Sequence, residues 1–387
     1  MIENYLYNHK GWYEVGGKAY SNKLEAYLAL NQIPGNHNIH WNYHDDVFGK
    51  ANWAVEPPVD IRQIYKERAI QLREQYDHLV LFYSGGADSH TILQTFINNN
   101  IKIDEVFVYG AFKAEEKKVQ ELGWDRTPGY YTREITQLAY PVLKELQKTH
   151  NFKITIWDWT DKTLEVLKTN KDWFWDVGVR YAPDAIPRQY LHEAFRHSDR
   201  FEGKGKSVGF IFGVDKPRLF RDDTSVYFSF IDNMLTTAVG NNSDINGRYW
   251  ENDEYFYWTP NLPDIVVKQA HLVYNFLKRT KQFDKISHIK NLGTFHRAGY
   301  YLMINPVIYP DWDPNTWQVK KSTSAVKDEF GQWFFDMAPA EYQQSWRNGL
   351  NEMERLIGTK WFNNNTVDEG FVGCPSKFYK IADLPNE

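Results

Sequence analysis

Residues 79–96 constrain the fold more than any other stretch of this 387-residue chain. Leu79-Val80-Leu81-Phe82-Tyr83 is a short run without a charged residue. Such a run suits a central parallel strand covered on both faces. Ser84-Gly85-Gly86-Ala87-Asp88-Ser89 follows it, and Ser89 to Phe96 has helical character. A buried strand, a glycine turn and a helix in that order predict an α/β protein.

The alternation continues downstream. Val106 to Tyr109, Phe152 to Trp157 and Val208 to Phe212 read as further strands, the last ending at Gly213. Helical spacing is read over Asp60–Tyr76, Thr132–Thr149 (where Pro141 must kink or break it), Thr160–Leu167 and Pro187–Phe195. Strands alternating with helices imply crossover connections and a parallel sheet. Before residue 60, Gly16-Gly17 lies between Gly11–Val15 and Lys18–Tyr20 as a hairpin signal, and Ser21 reads as the N-cap of a helix over Asn22–Leu30. Pro34 to Pro58 reads as irregular. Beyond Asn261, Ile265–Leu277 and Glu341–Ile357 read as helices, with loops around Pro306, Pro310 and Pro314 between them. The expected organisation is a small N-terminal α+β unit (1–59), a parallel-sheet domain that carries the glycine turn (60–260) and a mostly helical C-terminal portion (261–387).

The turn at 84–89 carries the chemistry. Glycines let the backbone adopt positive φ and approach a ligand closely. Backbone N–H groups there form an anion-binding nest, and the helix start adds partial positive charge. Ser84 and Ser89 can add hydroxyl donors to phosphate oxygens. Asp88 has the wrong sign for a phosphate but makes sense as a ligand to Mg²⁺ that bridges phosphate oxygens. Ligands of open α/β sheets sit beyond the carboxyl ends of the strands, where this turn must lie.

The stretch from Leu79 to Ser89 resembles the SGGxDS signature of the PP-loop ATP pyrophosphatases. That superfamily includes asparagine synthetase, GMP synthetase, NAD synthetase, argininosuccinate synthetase, tRNA-thiolation and lysidine-forming enzymes, 7-cyanodeazaguanine synthase and PAPS reductase. The resemblance covers about residues 60–230, and the whole chain is also similar to PP-loop proteins encoded by tailed phages. It implies a parallel five-stranded sheet flanked by helices, with ATP and Mg²⁺ bound and ATP cleaved to AMP and pyrophosphate. It also implies that Ser84, Gly85, Gly86, Ala87, Asp88 and Ser89 hold the pyrophosphate and its Mg²⁺.

Gly213-Val214-Asp215-Lys216-Pro217-Arg218, after the fourth strand, is the second candidate. Lys216 and Arg218 are placed to neutralise charge on a leaving pyrophosphate, and Asp215 to be a second Mg²⁺ ligand; the alternative is a charged turn set by Pro217. Tyr109 and Gly110, at the end of the second strand, are where the family contacts adenine, unless the strand simply ends there. His37, His40 and His44 with Asp45 and Asp46 are a candidate metal set or an ordinary polar face, since Ile39, Trp41 and Tyr43 alternate with them. Arg180, Arg188 and His192 suit either an anionic substrate or solvated helix faces.

Composition narrows the classes. A net charge of −5 argues against a broad nucleic-acid surface. Cys374 is the single cysteine, so there is neither an internal disulfide nor a cysteine zinc cluster. The paired cysteines of thiolation enzymes, the zinc cysteines of 7-cyanodeazaguanine synthases and a glutaminase nucleophile are missing too: residue 2 is Ile2. The start, Met1-Ile2-Glu3-Asn4-Tyr5, does not read as a signal peptide and no run approaches about 20 apolar residues, so a cytoplasmic setting is expected. The 17% aromatic content, with 15 Trp and 25 Tyr, suits either a cleft or a ring-packed core. The expected function is adenylation of a small-molecule or nucleic-acid substrate for attack by ammonia or an amine. The alternatives are a PAPS-reductase-like sulfur enzyme using Cys374 and a non-catalytic adenine-nucleotide sensor.

Overall fold

The computed structural model describes residues 11–35, 38–110, 112–113, 139–175, 186, 207–232, 253–290, 300–313, 334, 338–358 and 373–385. Its centre is a five-stranded, all-parallel sheet. The strands are β4 (His78–Phe82), β5 (Glu105–Gly110), β6 (Lys153–Asp158), β7 (Val208–Phe212) and β10 (Asp253–Tyr255), in the order β10-β7-β4-β5-β6. The α/β class and the five-stranded sheet expected from sequence are both present. The fifth strand, β10, was not read from the sequence: three residues are too short for a period-2 pattern to register.

Leu79, Val80 and Leu81 are fully buried, as a central strand with helices on both faces requires. Burying each such side chain stabilises the fold by about 1.5–3 kcal/mol. Strand β4 pairs with β5 on one side (Leu81 opposite Val106) and with β7 on the other (Leu81 opposite Ile211). Helix α3 (Ile61–Gln75) begins where the Asp60 carboxylate accepts from the Arg62 N–H at 2.8 Å. It packs on α4 (Ala87–Asn98), the helix that leaves the glycine turn, and on α7 (Asp264–Thr280). Helices α5 (Tyr140–Gln147) and α6 (Thr160–Thr169) flank β6 in sequence. Pro141 stands in the first turn of α5, where its missing N–H costs little. Residues 132–138 of the helix expected over 132–149, and all of that expected over 187–195, lie outside the described residues, and Lys148 and Thr149 form a turn.

The described residues before 60 hold more regular structure than the composition implies. The hairpin of β1 (Trp12–Val15) and β2 (Lys18–Tyr20) turns at Gly16-Gly17, both at positive φ. Strand β3 (His40–Asn42) adds to it, and α2 (Asp45–Phe48) follows, inside a stretch expected to be irregular. Buried Trp41 and Phe48 supply the reason. Helix α1 (Lys23–Gln32) is capped by Asn22, whose side chain accepts from the Leu24 N–H at 2.8 Å, and not by Ser21.

A third sheet, of four strands, was not anticipated. Its strands are β8 (Leu219–Arg221), β9 (Ser225–Phe228), β11 (Ser287–His288) and β12 (Tyr379–Asp383), in the order β11-β8-β9-β12. The β8–β9 turn is set by Asp222, whose carboxylate accepts from the Thr224 N–H at 2.8 Å and the Ser225 N–H at 2.7 Å. Trp53 stacks between Phe228 and Tyr379, each ring 4.8 Å away, which ties the N-terminal segment to this sheet. The C-terminal part contributes α7, α8 (Tyr300–Ile308) and α9 (Ala340–Ile357). Helix α8 falls where loops were expected around Pro306. Tyr300, Ile304 and Ile308 are buried at four-residue spacing, and that burial outweighs the backbone bond that Pro306 forgoes.

Candidate active site

The order β10-β7-β4-β5-β6 places a reversal beside β4. The chain runs outward from β4 through β5 to β6, then returns to β7 on the other side of β4. The carboxyl ends of β4 and β7 therefore border a topological switch point, the place where open parallel sheets bind ligands. The turn 84–89 leaves β4 at this point, and the loop 213–218 leaves β7 beside it.

In the first of these, Gly85 has φ +78°, a conformation that β-carbon-bearing residues avoid. Gly86 occupies the N-cap of α4 and brings no side chain to cap the leading amides. The Ser84 Oγ accepts from the Gly86 N–H at 3.3 Å, and the Ser89 hydroxyl donates to the Gly86 carbonyl at 3.2 Å. Ser84 is exposed, whereas Ser89 and Ala87 are buried. The structure thus gives Ser89 a partner inside the turn and leaves Ser84 at the surface.

In the second loop, a Cβ on Gly213 would come within 3.0 Å of the Asp88 Cβ, so a glycine lets the two loops meet. The Lys216 ammonium donates to the Asp88 carboxylate. The Arg218 guanidinium donates to Asp215 at 2.8 Å. Burial alone would depress the pKa of Arg218, but Tyr301 and Asp215 outweigh it and hold it above the ordinary value. The loop is fastened from several directions. The Tyr257 and Trp258 N–H groups both reach the Val214 carbonyl (3.2 and 3.1 Å), and the Tyr300 hydroxyl donates to the Pro217 carbonyl at 3.0 Å.

Sequence reasoning missed a set of aromatic residues here. Tyr309 donates to Oδ1 of Asp88, and Tyr257 donates to its backbone carbonyl at 2.8 Å. Lys216 Nζ lies 5.8 Å from the ring centres of both Tyr301 and Tyr309, within cation–π range. Burial, then the Asp88 charge, push the Tyr309 phenol well above its ordinary pKa, so it stays a donor. Tyr301 is pushed up to about 12 by burial in the field of Asp215 and Asp88, against the opposing charge of Arg218. His90, in the first turn of α4, is pushed down to about 4 by burial, with its Nδ1 3.0 Å from the Tyr83 hydroxyl. None of these residues belongs to a motif, and only proximity in the fold identifies them.

Among the other sequence candidates, Tyr109 and Gly110 end β5 beside β4, on the edge of the sheet from which the 84–89 turn leaves. Tyr109 is buried against Phe82, Phe107 and Trp159, and the Gly110 carbonyl accepts from the Trp159 N–H at 3.1 Å. His40 Nε2 meets Asp45 at 2.8 Å, and the Tyr379 hydroxyl meets the other Asp45 oxygen at 3.0 Å. Burial opposes ionisation of Asp45, but His40, Tyr379 and Lys377 together hold its carboxyl below the usual range. Asp46 is exposed. His37, Arg180, Arg188 and His192 lie outside the described residues. Cys374 is buried, and burial pushes its thiol up to about 12.

Among the described residues no group of three His, Cys, Asp or Glu side chains could hold a metal ion. A divalent ion carried by a nucleotide asks for less: Mg²⁺ is held by one or two carboxylates plus substrate phosphates. Asp88, on the turn, and Asp215, on the facing loop, fit that demand in kind. The arrangement can accept an anion at the helix start, place a cation against it and offer a carboxylate to the anion's metal. No known protein-family model matches the chain, and no curated protein matches it.

Proposed function

We propose that this chain binds ATP at the 84–89 turn and cleaves it to AMP and pyrophosphate, activating a second substrate for attack by ammonia or an amine. One observation carries the reading: an SGGxDS turn stands at the switch point of a five-stranded parallel sheet, facing a loop that bears Lys216 and Arg218. In the reaction, a substrate oxygen forms a bond to the α-phosphorus and the bond to the β-phosphate oxygen breaks. Pyrophosphate leaves. The amine then displaces AMP, which departs with that oxygen.

The chain's own groups supply position and charge. The amides of the glycine turn and of the first turn of α4 donate to phosphate oxygens. Lys216, released from Asp88, moves onto the charge that grows on the leaving pyrophosphate. Removing one such preorganised stabiliser typically costs about 2.7–4 kcal/mol in the barrier. Arg218, kept by Asp215, adds a second positive charge nearby. Mg²⁺ bound with the nucleotide at Asp88, with Asp215 as second carboxylate, would supply a bridging charge to the phosphates. No side chain need form a covalent intermediate. The buried thiol of Cys374 weighs against a sulfur chemistry that uses it as nucleophile.

The test is product analysis. The protein is incubated with Mg²⁺ and ATP, with and without a metabolite and nucleic-acid extract, beside Asp88→Asn. The expected result is AMP and pyrophosphate, with Asp88→Asn slower by about 10²–10³-fold. ADP and phosphate would contradict the bond assigned. Tight ATP binding with no turnover on any fraction would replace the enzyme with a nucleotide sensor.

A further inference from the structure

Asp88 is held at three atoms: Lys216 takes Oδ2, Tyr309 takes Oδ1, and Tyr257 takes the backbone carbonyl at 2.8 Å. The two carboxylate partners differ in kind. Lys216 is a compact charge on a flexible four-carbon stem, and its side chain retains 13% exposure. It can turn to another anion without leaving its place between Tyr301 and Tyr309. Tyr309 cannot turn. It is 1% exposed, its ring rests 5.6 Å from that of Tyr257, and its N–H donates to the Asn305 carbonyl at 2.9 Å. The peptide before it is held as well: the Tyr65 hydroxyl donates to the Ile308 carbonyl at 2.8 Å, and Gln269 donates to Tyr65 at 2.7 Å.

We infer that Tyr309 is the positioning residue of the nucleotide site. It keeps Oδ1 of Asp88 fixed while Lys216 exchanges Oδ2 for a phosphate oxygen of the incoming nucleotide. Oδ2 is then left to the metal that the nucleotide carries. This rests on the ATP-binding reading above. It separates a fixed partner from an exchangeable one, which the two contacts alone would not do.

The test is ATP binding measured with and without Mg²⁺ in the wild type, Tyr309→Phe, Asp88→Asn and the double variant. Tyr309→Phe keeps the ring and its packing and removes only the hydroxyl. Without Mg²⁺ its ATP affinity should stay within about twofold of the wild type, the scatter of an independent site. The gain in affinity on adding Mg²⁺ should fall by about tenfold, the size expected of one hydrogen bond to a charged group. In the Asp88→Asn background the same change should alter that gain by less than about twofold. A purely structural tyrosine would weaken binding equally with and without Mg²⁺, and that result overturns the inference. So does a wild-type gain that survives in Tyr309→Phe, or ATP binding that Mg²⁺ never improves; in these cases ATP binding by the chain still stands. A wild type that binds no ATP overturns both.

Discussion

Gly213 and Asp88 meet at the limit of van der Waals contact across the switch point: a Cβ on Gly213 would lie 3.0 Å from the Asp88 Cβ and 3.2 Å from the Ser89 amide nitrogen. One neighbour is backbone, so a methyl group here must push the two loops apart. Gly213→Ala should cost roughly 1–3 kcal/mol of stability, the usual range for overpacking. It should also weaken ATP binding by more than its loss of folded protein explains. Urea unfolding beside ATP titration checks this. Wild-type ATP affinity in Gly213→Ala would mean that the 84–89 turn is not where the nucleotide binds.

Lys216 and Asp88 form a part-buried pair, 13% and 21% exposed. Lys216→Gln removes the charge but leaves Tyr309 on the carboxylate. Stability should change by no more than about 1.5–3 kcal/mol, the scale of one charged hydrogen bond. Turnover should fall by about 10²-fold or more, as for an electrostatic stabiliser of a leaving group. Large destabilisation with unchanged turnover would make Lys216 a structural residue only.

Asp232 joins three distant segments inside the protein. It accepts from the Lys23 ammonium at 2.7 Å, the Tyr13 hydroxyl at 2.8 Å and the Cys374 N–H at 2.6 Å. The Lys23 and Asp232 side chains are both inaccessible. Asp232→Ala should destabilise by roughly 3–5 kcal/mol, because it strands a buried ammonium. Adding Lys23→Met should recover part of that loss. Chemical denaturation of the three variants reads the outcome, and strictly additive losses would refute the pairing as the source.

Cys374 offers a pH test. Its folded pKa is raised from 9.0 to about 12, so the unfolded chain gives up this proton first as pH rises. The contribution to stability is whole below pH 9 and is lost progressively toward pH 12. The wild type should therefore lose stability over that window more steeply than Cys374→Ala. At pH 8 a thiol reagent should label the native protein only as fast as it unfolds. Rapid labelling without unfolding would show an accessible thiolate and revive a nucleophilic role.

What could be read from the sequence was local. The run from Leu79 to Ser89 declares a strand, a turn and a helix start within a dozen residues, and all three stand where expected. The loop at 213–218 was legible for the same reason. The four-stranded sheet was not, because β9 pairs with β12 from about 150 residues away and β11 contains only two residues. Helix α8 was hidden by Pro306, a strong local penalty that the burial of Tyr300, Ile304 and Ile308 overrides. Tyr309 and Tyr257 carry no signal of their own, since any buried tyrosine reads alike until the fold sets it beside Asp88.

The separation between Asp88 and Tyr309 is 221 residues, which at ribosomal speeds of about 5–20 residues per second is roughly 10–45 s of synthesis. The glycine turn leaves the ribosome before its partners, and its carboxylate waits for Lys216 and longer still for Tyr309. A nascent chain therefore carries the whole motif well before it has the finished site. The Mg²⁺-dependent gain in ATP affinity should arrive in a single late step, when helix α8 docks and brings Tyr309 to Asp88, rather than growing with chain length.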